Sequence, residues 1–339
     1  MNIQPLIELT RGDTTECLHL GAISVVNARG EILSSVGNPH LVSFSRSTLK
    51  VFQALPFVLK GGPAHFGFTS EELALLCASH NGEDYHVRTI QSILEKIGLG
   101  VFALRCGCHV PGIFSYMDKH PPVGLTYDER HNNCSGKHAG FLAYCIHNKL
   151  PTDDYLGLYH PLQLSIRQQV SEVCGVEFND LNVGIDGCSA PNYALPLSRL
   201  AFGYARLSSG INDPVFGESF HLLRSAMMKH PTLISGTGRS DLAFTLAGRG
   251  DWISKVGADG VQVIASISRQ EAFAIKIIDG NKPALFSTTV EVLEQLGWMD
   301  EVQKESLSAW RSREIVNAGG VIVGNRRPIF KLSGQGKFA

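Results

Sequence analysis

Ser45-Arg-Ser-Thr-Leu-Lys-Val-Phe-Gln-Ala-Leu-Pro56 is the stretch of this 339-residue chain from which a fold can be inferred. It places a hydroxyl, Ser47, three residues before an amine, Lys50, where the apolar periodicity of the following residues predicts a helix. Residues three apart on a helix share a face, so the two side chains are expected to lie close together. A serine hydroxyl is a weak nucleophile until a base takes its proton, and a desolvated lysine is one such base. The stretch therefore predicts a Ser-Lys centre where a helix begins.

Two further motifs follow in the order used by penicillin-recognising serine hydrolases. Ser79-His-Asn81 is an S-x-N motif, and Lys255-Val-Gly257 is a K-x-G motif that opens onto a predicted strand. Two departures separate the chain from that superfamily. Ser79 follows Ser47 by only 32 positions, and Val256 replaces the usual hydroxyl residue, which removes one hydrogen-bond donor to a carboxylate substrate. The three motifs resemble those of that superfamily, but they do not imply that this protein acts on β-lactams.

Composition excludes several classes of protein. A chain that is 44% hydrophobic, with 17 Phe residues, buries a sizeable core in one large domain or two lobes. The formal net charge of −1 argues against a general nucleic-acid binder. No apolar run reaches the roughly 18 residues of a membrane span, and no signal peptide is expected from the first residues. Eight cysteines without a secretory signal predict thiols or metal ligands in a cytoplasmic protein.

Predicted strands occupy both ends of the chain, and predicted helices occupy the middle. Antiparallel strands are expected at 18–27, 31–36, 252–256, 261–268, 272–278 and 320–323. Helices are expected at 84–97, 136–148, 161–174, 197–208, 214–229 and 285–296. We therefore predict a single catalytic domain, 1–339, of the α/β (α+β) class, with a mostly antiparallel sheet from both chain ends flanked by helices. The sheet lobe would comprise 1–62 and 236–339, and 63–235 would form an inserted, mainly helical lobe, with a cleft between lobes for the three motifs.

A second set of polar residues is long and unusual. Asn132-Asn-Cys-Ser-Gly-Lys-His-Ala-Gly140 and Gly184-Ile-Asp-Gly-Cys-Ser-Ala-Pro191 each hold a cysteine. With Ser47-x-x-Lys50, Cys77-Ala-Ser-His-Asn-Gly82 and Lys255-Val-Gly-Ala-Asp-Gly260, these blocks closely resemble the asparaginase II family, typified by rhizobial thermolabile L-asparaginases. The resemblance covers nearly the whole chain. It implies a fold like that of serine β-lactamases and penicillin-binding proteins, a homodimer, and hydrolysis of L-asparagine to L-aspartate and ammonia.

The resemblance also assigns catalytic residues. It places Ser47 and Lys50 in one catalytic pair, and Ser79 and Lys255 in a second. We expect Ser47 Oγ to attack the side-chain amide carbon of L-asparagine while Lys50 accepts the proton, with backbone N–H groups holding the oxyanion. Lys255 would keep Lys50 neutral, because like charges disfavour each other. Ser79 would relay a proton to the leaving ammonia, although Ser79 with Lys255 is a competing nucleophile.

One Zn²⁺ ion per chain is implied by the same resemblance, with water completing the protein ligands Cys134, Lys137 and Cys188. Thiolates suit zinc, whereas an amine ligates only after losing the proton that it holds near pH 10 in water. We expect the ion to orient the substrate, with Asp186 holding the α-amino group; direct attack by a metal-bound hydroxide is the alternative. The substrate-binding residues are then Arg46, His80, Asn81, Lys137 and Asp186.

Other functions stay open on the residues alone. The Ser-Lys centre also suits a penicillin-binding-like serine peptidase or esterase. A cysteine amidase would use Cys134 as nucleophile and His138 as base, and a non-catalytic zinc protein would need the polar blocks only for stability. Cys106-Gly-Cys108-His109 resembles a metal knuckle, yet two thiols and one histidine form no complete zinc set, which favours a structural role.

Arg46 and one turn-rich stretch have roles that the sequence leaves undecided. Arg46 suits a substrate carboxylate and a protein Asp or Glu equally well. Gly236-Thr-Gly-Arg-Ser-Asp241 is a turn-rich stretch that either lines the cleft or only connects the lobes.

Overall fold

The computed structural model describes residues 2–311 and 313–334. Contacts within the chain divide these residues into two units. Unit 1 comprises the segments 2–43, 195–208 and 247–334, and unit 2 comprises 44–194 and 209–246. Each chain segment of one unit thus alternates with a segment of the other.

Strands and helices of the described residues are numbered in chain order. The strands are β1 (Gln4–Arg11), β2 (Thr14–Asn27), β3 (Ile32–Val36), β4 (Val42–Phe44), β5 (Asn182–Ile185), β6 (Pro191–Pro196), β7 (Trp252–Gly257), β8 (Val261–Ser266), β9 (Glu271–Ile277), β10 (Arg313–Val316) and β11 (Ile322–Pro328). The α-helices are α1 (Lys50–Leu59), α2 (Gly62–Phe66), α3 (Ser70–Leu76), α4 (Asp84–Lys96), α5 (Gly112–Tyr116), α6 (Ser135–His147), α7 (Pro161–Cys174), α8 (Leu197–Ser209), α9 (Gly217–Lys229), α10 (Pro231–Ile234), α11 (Ser240–Ala247), α12 (Lys282–Gln295) and α13 (Glu301–Ser306).

An antiparallel sheet forms the centre of unit 1. Its order is β10-β11-β1-β2-β9-β8-β7, and β3 pairs with β2 beside this path. Strands from the two ends of the chain are therefore neighbours, with Glu8 of β1 opposite Arg327 of β11. Every residue of β8 is buried, as expected for an inner strand covered on both faces. Helix α12 packs against this sheet and contacts β1, β8, β9 and β11.

Unit 2 is mainly helical and is built around α1. Residues Lys50 to Val58 of this helix are all buried, so α1 is enclosed on every side. It packs chiefly against α6 and α7 and also contacts α3 and α9. Strands β5 and β6 pair antiparallel, with Val183 opposite Tyr193. The central helix thus carries its first residue, Lys50, into the interior of the unit.

The predicted mixed α/β class with an antiparallel sheet is confirmed, but the lobe boundaries differ from those predicted. Residues 44–62 and 236–246 belong to the helical unit 2, and 195–208 belong to unit 1. The reason lies in α1: its apolar residues pack against other helices, so the Ser-Lys stretch is part of the helical unit. None of the helices in the described ranges has the length and hydrophobicity that crossing a membrane requires.

Candidate active site

Lys50 is a buried amine with three hydrogen-bond acceptors around it. Its side chain is fully buried at the first residue of α1. Its Nζ donates to Ala78 O at 2.5 Å, to Ser79 Oγ at 3.0 Å and to Asn133 O at 3.1 Å. A buried amine requires such acceptors, because an unpaired polar group is costly away from water. The Lys50 amine therefore joins the S-x-x-K, S-x-N and Asn132–Gly140 blocks at one point.

Ser79 lies on a short irregular segment between α3 and α4 that is held by internal bonds. Its N–H donates to Ile234 O at 2.8 Å, and the residue is 3% exposed. His80 bonds to Ser135 Oγ through Nε2 at 2.9 Å, while its Nδ1 accepts the Gly82 N–H at 3.0 Å. Burial holds the pKa of His80 well below its usual value, so the ring is neutral. His80, predicted to bind substrate, has both ring nitrogens engaged within the protein.

The Asn81 amide is engaged within the protein as well. Its Nδ2 donates to Thr237 O at 2.8 Å, and its Oδ1 accepts Arg239 Nη1 at 3.2 Å. The whole residue is buried. Asn81, another predicted substrate-binding residue, is thus placed where it fixes the loop that follows α10.

Ser47 lies in a 3-10 turn, Arg46–Leu49, immediately before α1 and not in the helix itself. It is half-buried, and no hydrogen bond of its hydroxyl to another described residue is found. Arg46, one residue before it, has a left-handed backbone with φ 53°. Asn192 stabilises this conformation: its Oδ1 accepts the Arg46 N–H, and its Nδ2 donates to Arg46 O, both at 3.0 Å. A costly backbone conformation held by a dedicated side chain is typical of functional sites.

Arg46 and Asp186, both predicted to bind substrate, pair with each other. Asp186 Oδ1 accepts Arg46 Nε at 3.0 Å and Nη2 at 2.9 Å. It also accepts the N–H of Gly187 at 2.8 Å. Of the two roles left open for Arg46, this structure therefore has the ion pair with a protein carboxylate.

Cys134, Lys137 and Cys188 converge at the start of α6. All three are buried, and Lys137 Nζ lies 3.0 Å from Cys188 Sγ. A hydrogen bond from Cys134 and the charge of Lys137 outweigh burial and lower the pKa of the Cys188 thiol. The bond to Cys188 and burial raise the pKa of Cys134 well above its usual value. Of the two thiols, the one with the lowered pKa is thus Cys188, which Lys137 contacts.

The donor chemistry of this cluster fits a zinc ion with three protein ligands and an open position. Two sulfurs and one amine meet there, and zinc would displace one proton from Cys134 and one from Lys137. Among the residues that the structure describes, no group of three His, Cys, Asp or Glu side chains could hold a metal, so a zinc site needs Lys137. The other thiols do not supply one, because Cys106 is buried against Glu129 O while Cys108 is exposed.

Lys255 lies on β7 of unit 1, whereas the residues above belong to unit 2. It is fully buried, and its Nζ donates to Val256 O at 3.0 Å. Its predicted pairing with Ser79 therefore stays a prediction.

The model of the L-asparaginase II family matches residues 7–328, nearly the whole of the chain. The chain belongs to this family. A search of curated proteins finds no match to this chain. Membership of the L-asparaginase II family implies an amidohydrolase that acts on a small molecule.

Several residues of this L-asparaginase II protein support the site without having been predicted. Asn192 follows the Gly184–Pro191 block directly, so extending that block by one residue would have included it. His109 accepts the N–H of Asn133 at 3.0 Å and thereby fixes the carbonyl group that receives Lys50. Ser135 accepts from His80 and donates to Arg130 O at 2.9 Å. The contacts of these side chains with Arg46, Asn133 and His80 join positions distant in sequence, so spacing gave no signal for them.

Proposed function

We propose that the protein is an L-asparaginase that hydrolyses L-asparagine to L-aspartate and ammonia through a seryl ester. Family membership supports the amide hydrolysis. The observation that carries the proposal is the buried Lys50 amine at 3.0 Å from Ser79 Oγ, one helical turn from Ser47. A serine next to a desolvated amine is the arrangement that activates a hydroxyl for acyl transfer.

Lys50 suits the role of general base because of the number of its acceptors. In the neutral form, its two N–H groups would remain bonded to the carbonyls of Ala78 and Asn133. The lone pair would then face Ser79 Oγ and accept its proton. The carbonyl groups thus orient the amine, and the third position is left for proton transfer.

Ser47 is the proposed nucleophile because it is half-buried and close to solvent, whereas Ser79 is almost fully enclosed. Ser47 Oγ attacks the amide carbon, its proton passes to the Ser79–Lys50 pair, and that pair protonates the amide nitrogen as the C–N bond breaks. Ammonia leaves, and water then hydrolyses the aspartyl ester, returning the proton to Ser47. Lys255 is proposed to supply further positive charge to this pair.

We also propose one Zn²⁺ per chain, held by Cys134, Lys137 and Cys188. When bound, the ion would supply positive charge that orients a substrate. Cys188→Ser is expected to abolish stoichiometric zinc in elemental analysis, whereas Cys17→Ser, at an exposed thiol of unit 1, keeps it. Equal zinc content in the two variants would exclude this ligand set.

A serine β-lactamase-like fold and a homodimer belong to the same proposal. The order S-x-x-K, S-x-N, K-x-G supports the fold assignment, as does an antiparallel sheet in one unit with helices in the other. Light scattering of the purified protein would test the dimer.

Ammonia release from L-asparagine by wild type, Ser47→Ala and Ser79→Ala tests the mechanism. Ser47→Ala is expected to be inactive, and Ser79→Ala to be slower by about 10²- to 10⁴-fold, the usual contribution of a positioned proton carrier. Ser225→Ala, on the exposed face of α9, is the matched control. Mass spectrometry of quenched reactions identifies the acylated peptide. An ester on Ser79 would reverse the two serine roles, and an inert zinc-loaded wild type would refute the asparaginase, leaving peptides and esters to be tested.

A further inference from the structure

Arg239 is a buried cation for which the described residues provide no acidic partner. It lies just before α11 and is 8% exposed. Its Nη1 donates to the neutral Asn81 Oδ1 at 3.2 Å, and its guanidinium lies 4.5 Å from the ring centroid of Tyr116. An arginine has five N–H donors, and arginines this deeply buried are nearly always paired with an acid. The other N–H donors of Arg239 would therefore be satisfied by an anion that the described part of the chain does not supply.

The acid in the same loop network is already engaged. Glu83 accepts the Thr237 N–H at 3.1 Å, the Thr237 hydroxyl at 2.6 Å and the Tyr85 hydroxyl at 2.8 Å. It makes no ion pair with Arg239 among the described residues. The histidine rings close enough to Arg239 to sense its charge are those of His80 and His86. Burial lowers the pKa of each ring, so both are neutral.

The loop that carries Arg239 is pressed onto the segment of Ser79. Gly236 has φ 114°, and a Cβ atom there would lie 2.3 Å from Glu83 Oε2, so only glycine permits this approach. Asn81, which contacts Arg239, lies two residues from Ser79, so at most about 7 Å separates their Cα atoms. In L-asparagine, three carbon–carbon bonds separate the carboxylate carbon from the amide carbon. The contact with Asn81 thus places Arg239 beside the segment that carries Ser79, which a substrate of this length would have to reach.

The other arginine of the site is less suited to this role. Arg46 gives two N–H donors to Asp186, and a substrate carboxylate would have to compete with that carboxylate. Arg239 has no such competitor in the described residues, and its stacking on Tyr116 leaves the edge of the guanidinium for a planar anion.

We propose that Arg239 binds the α-carboxylate of the substrate and selects free amino acids over amides whose α-carboxyl group is blocked. This inference rests on the proposed amidase function. Pairing of a guanidinium with a carboxylate is strong and directional, and a neutral carboxamide in its place would leave the cation without an anion.

Two substrates and three variants test this inference. Arg239→Gln is expected to raise the KM for L-asparagine by about ten- to a hundredfold, the range for losing a charged hydrogen-bonded contact, with a smaller change in kcat. For the α-carboxamide of L-asparagine, the KM of wild type and variant should agree within about twofold. Arg239→Lys keeps the charge but not the planar guanidinium, so its KM for L-asparagine should lie between those of wild type and Arg239→Gln. Arg88→Gln, at an exposed arginine of α4, should match wild type.

Direct binding separates the failure of this inference from the failure of the proposed function. L-Aspartate is titrated into wild type and into each variant by calorimetry, after a thermal melt has shown that the variant is folded. If Arg239→Gln does not fold, the affinity of Arg239→Lys for L-aspartate tests the inference instead. Two results with an active wild type would overturn the role of Arg239 and leave the asparaginase intact. One is an unchanged KM for L-asparagine in the variants, and the other is an equal rise in KM for both substrates. An inactive wild type that still binds L-aspartate through Arg239 would refute the asparaginase alone.

Discussion

At the scale of single residues, the site depends on carbonyl groups as much as on the predicted side chains. Lys50 was found from its spacing to Ser47, but two of its three acceptors are backbone oxygens, of Ala78 and Asn133. A motif records side chains, so it could identify the amine and could not show what orients it. Its predicted direct partner, Ser47, follows from helical spacing, whereas the observed bond goes to Ser79 across 29 residues.

Replacement of this amine gives the first prediction. Lys50→Met keeps much of the side-chain volume and removes the proton acceptor, so we expect kcat for ammonia release to fall by at least about 10²-fold. Because the variant also leaves two buried carbonyl oxygens without a donor, a lower melting temperature is expected too. Lys60→Met, at the exposed residue that follows the same helix, should change neither quantity. A Lys50→Met protein with wild-type turnover would show that the amine takes no part in proton transfer.

Predicted substrate residues show where residue-level inference stops. His80 and Asn81 were predicted to bind substrate because their segment carries Ser79. Their side chains nevertheless bond to Ser135, Thr237 and Arg239, which are distant in sequence. Only the folded chain reveals that these polar groups are already satisfied.

At the scale of elements, the long helices and the paired strands β7, β8 and β9 were predictable from local patterns, whereas β1 was not. Helix α7 has the predicted bounds, 161–174, because its apolar period is unambiguous. Strand β1 was missed: its sequence, Gln-Pro-Leu-Ile-Glu-Leu-Thr-Arg, alternates poorly, and it is a strand because it pairs with β2 and β11. The β11 pairing joins residues more than 300 positions apart, which no local pattern encodes.

Close packing of α6 on α3 gives the second prediction. A Cβ atom on Gly136 would lie 2.2 Å from Leu75 O, a backbone atom that cannot rotate away. Gly136→Ala should therefore destabilise unit 2 by about 1–3 kcal/mol in urea unfolding, despite the better helix propensity of alanine. Gly319→Ala, where the nearest atom would lie at 3.4 Å, is the control. Equal stabilities would mean that the two helices separate at little cost.

At the scale of the whole molecule, buried neutral histidines make stability depend on pH. His86 donates from Nε2 to Thr232 O at 3.1 Å and accepts the Glu83 N–H at 3.2 Å. Burial lowers its pKa to about 4; Arg239 acts in the same direction, whereas the bond to Thr232 and the charge of Glu83 oppose it. The rings of His80 and Tyr85 pack against it. Because the pKa of histidine in the unfolded chain is near 6.5, between about pH 4 and 6.5 the unfolded chain binds a proton at His86 that the folded chain does not bind.

The third prediction follows from this difference. Stability from His86 is fully present above about pH 6.5 and is lost as the pH falls towards 4, by up to about 3 kcal/mol. Urea unfolding at several pH values should show that His86→Gln loses less stability on acidification than wild type does. His221→Gln, at an exposed histidine, should follow wild type. Parallel curves for wild type and His86→Gln would contradict the neutral state of this ring.

The bonds that hold the segment of Ser79 also determine how its amide protons meet solvent. The N–H groups of Ser79, Gly82 and Glu83 donate to Ile234 O, His80 Nδ1 and His86 Nδ1. Such protons exchange with deuterium only when the surrounding structure opens. Two of the three acceptors are histidine nitrogens that acid would protonate, so acid would remove these acceptors. The amide protons of the Ser79 segment are thus expected to exchange slowly at neutral pH and faster in acid.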